Sequence, residues 1–530
     1  MFLQLTLLAV AVLVLFKGLR WLATKSPLRL VRGPPRASWR TGNLHQALDL
    51  DGWDWHQTAC DEYGGVFSFW GMFGERRLYV FDPLALYHVL VKVTYPLSAL
   101  VLGRGLLATY GKIVLRLYDG DRHKKQRKLM NPVFSTRNIK HMVTQFYSVC
   151  HKLCDALAFE LSEDDKEIDV LAWMSRTAMV LIGEAGLGYS FDPLTEQREN
   201  RYANAVKAIV PAFASIAILR ELLPWVTMLG IPTLFERMLP YIPIKRVQHI
   251  RNITATLDEA SHEVYQSKKE AIQRGDDAIM HQLGQGKDIM SILLRANLKA
   301  SDNDRLPEAE VIAQMSTLVF AATDTTTNAL SRTLFLLSQN QDVQRRLRDE
   351  IVQAKAGRDG DLTYEELDTL PYLDAVVRET LRLHPPVPYV SRMATQDMTL
   401  PLAKPLKATD GSMLHHIAVP RGTKLVISFW AINRSTAYWG DDALEWKPER
   451  FLQPLPQTLI DAHIPGIYSS MMTFGGGGFS CIGSKFAQLE MKVSLSLLVE
   501  RFALTMTKTE IRWNMAPIQA SQTFRDRELI

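Results

Sequence analysis

Of the first sixteen residues only Gln4 and Thr6 are polar, and Leu19, Trp21, Leu22 and Ala23 carry the apolar run past Lys17 and Arg20. With those two cations reaching toward the lipid surface, roughly 20 residues suffice to span a bilayer. A cleaved secretory signal would place positive charge before the apolar run and small residues at a cleavage site. Here Lys17, Arg20, Lys25, Arg29, Arg32, Arg36 and Arg40 all follow it. The pattern predicts a transmembrane signal anchor over residues 1–23, with the rest of the chain on the cytosolic side. Sequons at Asn252 and Asn433 are then predicted to stay unmodified.

Residues 24–45 read as a basic, proline-containing linker in which Pro34 and Pro35 stiffen the chain. Residues 46–530 read as one large domain, because no long linker, internal repeat or low-complexity tract divides them. Its stretch YGGVFSFWGMFGERRLYVFDP has short β-rich runs cut by glycine and predicts a small antiparallel sheet. Helical periodicity dominates from about Leu84 to His384, followed by a β- and turn-rich region from Val387 to Phe429. A helix from about Gly483 to Phe502 and a short strand pair close the chain. The fold class is mainly α with small β-sheets.

Between Asn204 and Ile244 the chain is strongly apolar, but Pro211, Pro224, Pro232, Pro240 and Pro243 exclude one continuous spanning helix. Two readings stay open there: ordinary core helices, or a membrane-dipping lid over a lipophilic pocket.

The longest helix opens at Pro307, with Glu308 and Glu310 in its first turn, and runs to about Ser338. Its rise is roughly 48 Å, enough to cross a whole domain. In its middle stand Thr323, Asp324, Thr325, Thr326 and Thr327, whose hydroxyls compete for backbone carbonyls and predict a local distortion. The alternatives are a bend satisfied internally or a path by which an acid and a hydroxyl pass protons into a closed pocket. A second amphipathic helix, PYLDAVVRETLRL, ends at Pro385 and carries Glu379 and Arg382 three apart on one face, with Arg450 of KPERF as a possible neighbour.

Composition narrows the function. With 47% hydrophobic residues in 530, the chain can bury a large core. A net charge of +5, from 61 basic and 56 acidic residues, gives no reason to expect general nucleic-acid binding. Cys60, Cys150, Cys154 and Cys481 are too few and scattered for a disulfide framework or a zinc site. Cys150 and Cys154, four apart in a predicted helix, read as small buried hydrophobes.

Cys481 is different. It follows four glycines, Gly475 to Gly478, and feeds a helix N-terminus, an arrangement that stabilises a thiolate as nucleophile or metal ligand. Glycines on the approach would let a flat macrocycle lie against the backbone. Gly478, Gly483, Ser484 and Lys485 nearly form a phosphate loop, but the lysine and hydroxyl stand in the wrong order for nucleotide binding.

Phe474, Gly477, Cys481 and Gly483 fit F-x-x-G-x-x-x-C-x-G, and with the other motifs the chain after the anchor resembles the cytochrome P450 family of heme-thiolate monooxygenases. The resemblance implies the cytochrome P450 fold, and heme b with Cys481 as axial iron ligand. It implies Glu379, Arg382 and Arg450 as a structural network, and Asp324 and Thr325 as the groups that deliver protons for oxygen activation. His123, at the usual position of a tryptophan, Arg127 and Arg392 would bind the heme propionates. Three departures stand out: Phe479 where the family usually has arginine or histidine, Ala322 where it usually has glycine, and a longer path between Leu107 and Asp119. The first implies that one propionate contact is lost or replaced, and the second an oxygen groove narrower by a methyl group.

No flavin or nicotinamide fingerprint appears, so the resemblance implies a separate NADPH-cytochrome reductase, a flavoprotein, as electron donor. Arg122, Lys124, Lys125, Arg127 and Lys128 form a basic cluster that reads either as its docking face or as a solvated helix face. The wording around the motifs is similar to fungal members that oxidise terpenoids and other lipophilic natural products with O2. Such a protein would sit in the endoplasmic reticulum membrane as a single-pass protein facing the cytosol. The rival readings are a heme-thiolate isomerase or dehydratase without O2 activation, and a non-catalytic heme-binding membrane protein.

Overall fold

The computed structural model describes residues 26–92, 97–99, 120–162, 167–191, 194, 201–216, 241, 243–275, 287–519 and 521–523. The predicted anchor, the whole Leu107 to Asp119 segment and most of the candidate lid lie outside the described residues.

The helices that frame the site are α1 (Gly120–Met130), α2 (Val143–Glu160), α3 (Val170–Leu181), α4 (Arg201–Ala214), α5 (Lys245–Arg274), α6 (Glu308–Gln339), α7 (Gln341–Lys355), α8 (Pro371–Leu383) and α9 (Ser484–Arg501). α6 is the axis of the body. Pro307 caps it, and its residues are buried nearly all round, against α3, α5, α8 and α9. A helix surrounded by other helices buries apolar side chains on every face, and each large one stabilises by about 1.5–3 kcal/mol. The acid at its first turn also has a tertiary role. Glu310 is buried and accepts from Arg122 Nε at 2.9 Å and Gln126 Nε2 at 3.0 Å, which ties α1 to α6.

α6 is helical from end to end, so the predicted central distortion does not take the form of a break. The polar residues are accommodated within the helix: Thr325 Oγ1 donates to the Ala321 carbonyl at 2.6 Å, and Asn328 Nδ2 to the Asp324 carbonyl at 2.7 Å. A wider helical turn follows α3 instead, over Ile182–Leu187, ending in Gly188 at φ 59°. The stretch Val170–Leu187 is long and apolar enough for a bilayer, yet two-thirds of it is buried inside the protein against α6.

The main sheet contains β1 (Val66–Trp70), β2 (Arg76–Val80), β3 (Leu97–Ala99), β4 (Tyr389–Ala394) and β7 (Lys424–Ser428), in the order β1-β2-β7-β4-β3. β1 and β2 pair antiparallel, as their glycine-bounded pattern predicts, with Val66 opposite Val80. β2 then pairs in parallel with β7, Leu78 opposite Leu425. β5 (Met398–Lys407) and β6 (Met413–Val419) form a separate hairpin, and β8 (Ile511–Trp513) pairs with β9 (Ser521–Thr523). The connector expected over residues 24–45 is docked rather than free. Leu28 and Val31 are buried, Ser68 donates from its backbone to the Arg32 carbonyl at 2.8 Å, and Thr409 to that of Leu30 at 2.9 Å.

Candidate active site

Glu379 and Arg382 lie on the buried face of α8, both fully inaccessible. The Arg382 fork spans Glu379, with Nε to Oε2 at 2.7 Å and Nη2 to Oε1 at 2.8 Å. Its other hydrogens go to the carbonyls of Asn433 and Ala443, at 2.8 Å each, and Glu445 at 3.2 Å. All five guanidinium donors are thus engaged. Arg450 adds Nε to Glu379 Oε1 at 3.3 Å and Nη1 to Asp442 Oδ1 at 2.7 Å. A buried ion pair persists only with this many partners, because desolvation costs several kcal/mol per ion.

The network reaches the cysteine loop through Asn433. Its Oδ1 accepts from the Met472 backbone at 2.7 Å and its Nδ2 donates to Thr473 Oγ1 at 2.9 Å, while Thr473 donates back to the Leu381 carbonyl at 2.7 Å. Sequence reasoning brought Glu379, Arg382 and Arg450 together but missed Asp442 and the Asn433–Thr473 link. Asn433 was visible only as a sequon, and it is fully buried.

The loop itself is held by backbone. Gly475 and Gly477 adopt φ 67° and 65°, conformations costly for other residues. The close approaches are to protein. A Cβ on Gly477 would lie 2.0 Å from the Leu90 carbonyl oxygen, and one on Gly476 2.1 Å from that of Pro465. At Gly476 and Gly477 the glycine run therefore seats the loop against neighbouring backbone, whereas at Gly483 a Cβ would meet nothing within 4 Å. Gly477→Ala is expected to displace the loop and lower thermal stability, whereas Gly483→Ala should be tolerated by the apoprotein; paired melting curves check this.

Cys481 donates its backbone N–H to the Phe474 carbonyl at 2.8 Å, and the Phe474 ring packs edge-on against Tyr468 at 5.5 Å. Cys481 is exposed as a residue, while protein crowds around its thiol. Burial pushes the thiol up, while the Gly483 N–H and the Arg127 guanidinium pull it down. Arg127 Nη1 donates to the Ser480 carbonyl at 3.0 Å, beside the cysteine. His123 stacks on Phe479, and Arg392, from β4, lies over the same ring. Arg127, His123 and Arg392 thus gather around the segment that carries Cys481.

Along α6, Ala321, Ala322, Asp324 and Thr325 form a partly accessible stripe in an otherwise buried helix. Burial raises the Asp324 carboxyl to about 7, and Lys207 of α4 pulls it down. On the opposite side Thr326 faces Glu490 of α9, whose carboxyl burial holds well above its usual range. α6 packs directly on α9, the helix that Cys481 precedes.

The basic cluster on α1 is largely engaged within the protein. Arg122 pairs with Glu310, Lys128 with Asp304 at 2.7 Å, and Lys124 with Asp121 at 3.0 Å.

An exposed cysteine just before a helix N-terminus, beside a long buried helix and linked through its loop to a buried Glu–Arg–Arg network, is an arrangement that can present sulfur to a metal-bearing group. Comparison with known proteins agrees. Residues 32–518 match the family model described as Cytochrome P450. The chain is 46% identical to Cytochrome P450 monooxygenase 91 of Postia placenta, over 96% of this chain and 95% of that protein. It is 41% identical to Ganoderic acid synthetase CYP5150L8 of Ganoderma lucidum, over 93% and 91%. A solved cytochrome P450, CYP102L1, superposes with a TM-score of 0.69 over 94% of this chain and 98% of that one, and at 22% identity it supports the fold. The chain belongs to the cytochrome P450 family and is a monooxygenase of the oxidoreductase class. The family binds heme iron through a cysteine thiolate, and the residues present fit that group: an exposed cysteine, open space at Gly483 and cationic donors nearby.

Proposed function

We propose that this protein is a membrane-anchored monooxygenase that inserts one oxygen atom of O2 into a lipophilic small molecule, a terpenoid or similar fungal secondary metabolite. Its catalytic domain would face the cytosol from the endoplasmic reticulum membrane and take electrons from an NADPH-dependent flavoprotein reductase. The observation that carries the chemistry is Cys481, accessible beneath the Gly483 N–H and beside Arg127. The anchor pattern at residues 1–23 supports the location, and similarity to fungal natural-product enzymes supports the substrate class.

In this reading Cys481 Sγ would hold the iron, and Arg127, His123 and Arg392 would hold the anionic edge of heme b by charge-assisted or neutral hydrogen bonds. Heme with a thiolate ligand supplies dioxygen activation, the thiolate favouring O–O cleavage. Phe474, Gly477 and Gly483 shape the loop that presents the thiol. Asp324 holds a proton at its carboxyl near neutral pH, and Thr325 Oγ1 passes it toward the accessible side of α6. The family implies O2, a substrate and a redox partner; any docking on α1 would need the reductase to compete with, or bridge, its internal ion pairs.

The test is a carbon monoxide difference spectrum of the dithionite-reduced full-length protein, followed by NADPH- and O2-dependent turnover with a reductase and a terpenoid panel. A red-shifted Soret band and hydroxylated product support the proposal; heme without the shift sinks it. Asp324 adds a pH signature. Protonated below about 7 and ionised above it, it loses its donor form as pH rises. Product formed per electron consumed should therefore fall between pH 6.5 and 8.5. In Asp324→Asn the ratio should be low and flat, with turnover reduced about 10²-fold. Thr325→Ala should keep electron consumption but lower product yield, which a coupling assay reads directly.

A further inference from the structure

Phe479 stands two residues before Cys481, at a position where the family resemblance expects a cation. Its ring is stacked on the His123 imidazole, with centroids 4.2 Å apart and planes within 17°. The Arg392 guanidinium lies over the same ring, 5.2 Å from its centroid. The three residues come from α1, β4 and the cysteine loop, and His123 and Arg392 are each only 8% exposed. The Phe479 ring is itself only partly buried, so it is not simply filling the core. Its π surface offers the imidazole a plane to stack on and attracts the guanidinium. Arg127, one turn along α1 from His123, grips the same loop at the Ser480 carbonyl. Two of the residues that differ from the family pattern, His123 and Phe479, are therefore in direct contact.

We infer that Phe479 is a positioning residue: it aligns His123 and Arg392 as a donor pair for the heme carboxylates, in place of the cation expected at its own position. An arginine there would have bonded the anionic edge itself; the phenyl ring acts through its two neighbours. The inference rests on the heme-thiolate reading above. It makes the two departures one coupled change, so that His123 contributes to heme retention only while Phe479 holds it.

The experiment uses the full-length, heme-loaded protein and follows heme transfer to excess apomyoglobin, with the reduced carbon monoxide spectrum recorded in parallel. Phe479→Leu, which keeps apolar bulk but has no π face, should speed heme loss roughly tenfold, equivalent to about 1.4 kcal/mol. Phe479→Tyr should remain near wild type. His123→Ala should also accelerate loss, and the Phe479→Leu/His123→Ala double variant should be no faster than the quicker single variant, because the contact is shared. In all of them the loaded fraction should keep the red-shifted band. Unchanged heme loss in Phe479→Leu, equal loss in Phe479→Leu and Phe479→Tyr, or additive effects would each overturn the inference while leaving the heme-thiolate reading intact. If Phe479→Leu does not fold, the decision falls to Phe479→Tyr and His123→Ala: near-wild-type retention in the first with faster loss in the second supports the inference, and any other pattern sinks it. A wild-type protein with no red-shifted band would remove the underlying reading, and the inference with it.

Discussion

Cys481→Ala is expected to fold, to lose the red-shifted carbon monoxide band, and to lose monooxygenation by at least about 10³-fold, or roughly 4 kcal/mol at the barrier. The fold should survive because Cys481 is an exposed residue outside the core, while its backbone bond to Phe474 is independent of the side chain. Chemistry should fail because sulfur is the ligand atom the family uses, and alanine offers nothing in its place. The enclosed site pushes the free thiol up, so thiolate formation depends on the Gly483 N–H, Arg127 and the iron itself. Cys481→Ser keeps an oxygen at the same point and should bind heme without restoring the red shift. The two variants therefore separate pocket occupancy from thiolate chemistry. Retained band and turnover in Cys481→Ala would remove Cys481 from the mechanism.

What the sequence made legible was local. The capped length of α6, the proline stop after α8, the glycine-bounded hairpin of β1 and β2 and the helix after Cys481 all rest on neighbours within a few residues. The motifs that name the candidate site residues were readable for the same reason, since the spacing within each motif is local. Contacts across the chain were not legible. The parallel pairing of Leu78 with Leu425, the Leu90 carbonyl that leaves no room for a side chain at Gly477, and the Asn433 bridge to Thr473 join segments far apart in sequence. No periodicity encodes them. The same reason hid the stack at Phe479. In sequence, Phe479 registers as a missing cation and His123 as a missing tryptophan, and their contact appears only in the fold. Nor could the sequence show that Gly476 and Gly477 lie tight against the Pro465 and Leu90 carbonyls.

Glu379→Ala is expected to lower the unfolding free energy by about 3–5 kcal/mol, a large share of the roughly 5–15 kcal/mol that holds a typical protein together. Removing this carboxylate leaves Arg382 charged, with zero exposure and no acid to meet its Nε and Nη2. It also strips Arg450 of one partner, although Asp442 still holds the other end of that fork. Arg382→Lys should be nearly as damaging, since one ammonium has three donors where the guanidinium fills contacts to Glu379, Asn433, Ala443 and Glu445. The loss should reach the site before the whole protein unfolds. Arg382 fixes the Asn433 carbonyl, Asn433 fixes Met472 and Thr473, and those residues lead into the loop that presents Cys481. A urea titration followed by far-ultraviolet circular dichroism and by the carbon monoxide band in parallel should therefore show the band failing at lower urea in Glu379→Ala than the helices do. Coincident transitions would mean that the network supports the fold as a whole and does not hold the cysteine loop in particular, and an unchanged midpoint would mean that the buried pair contributes no net stability.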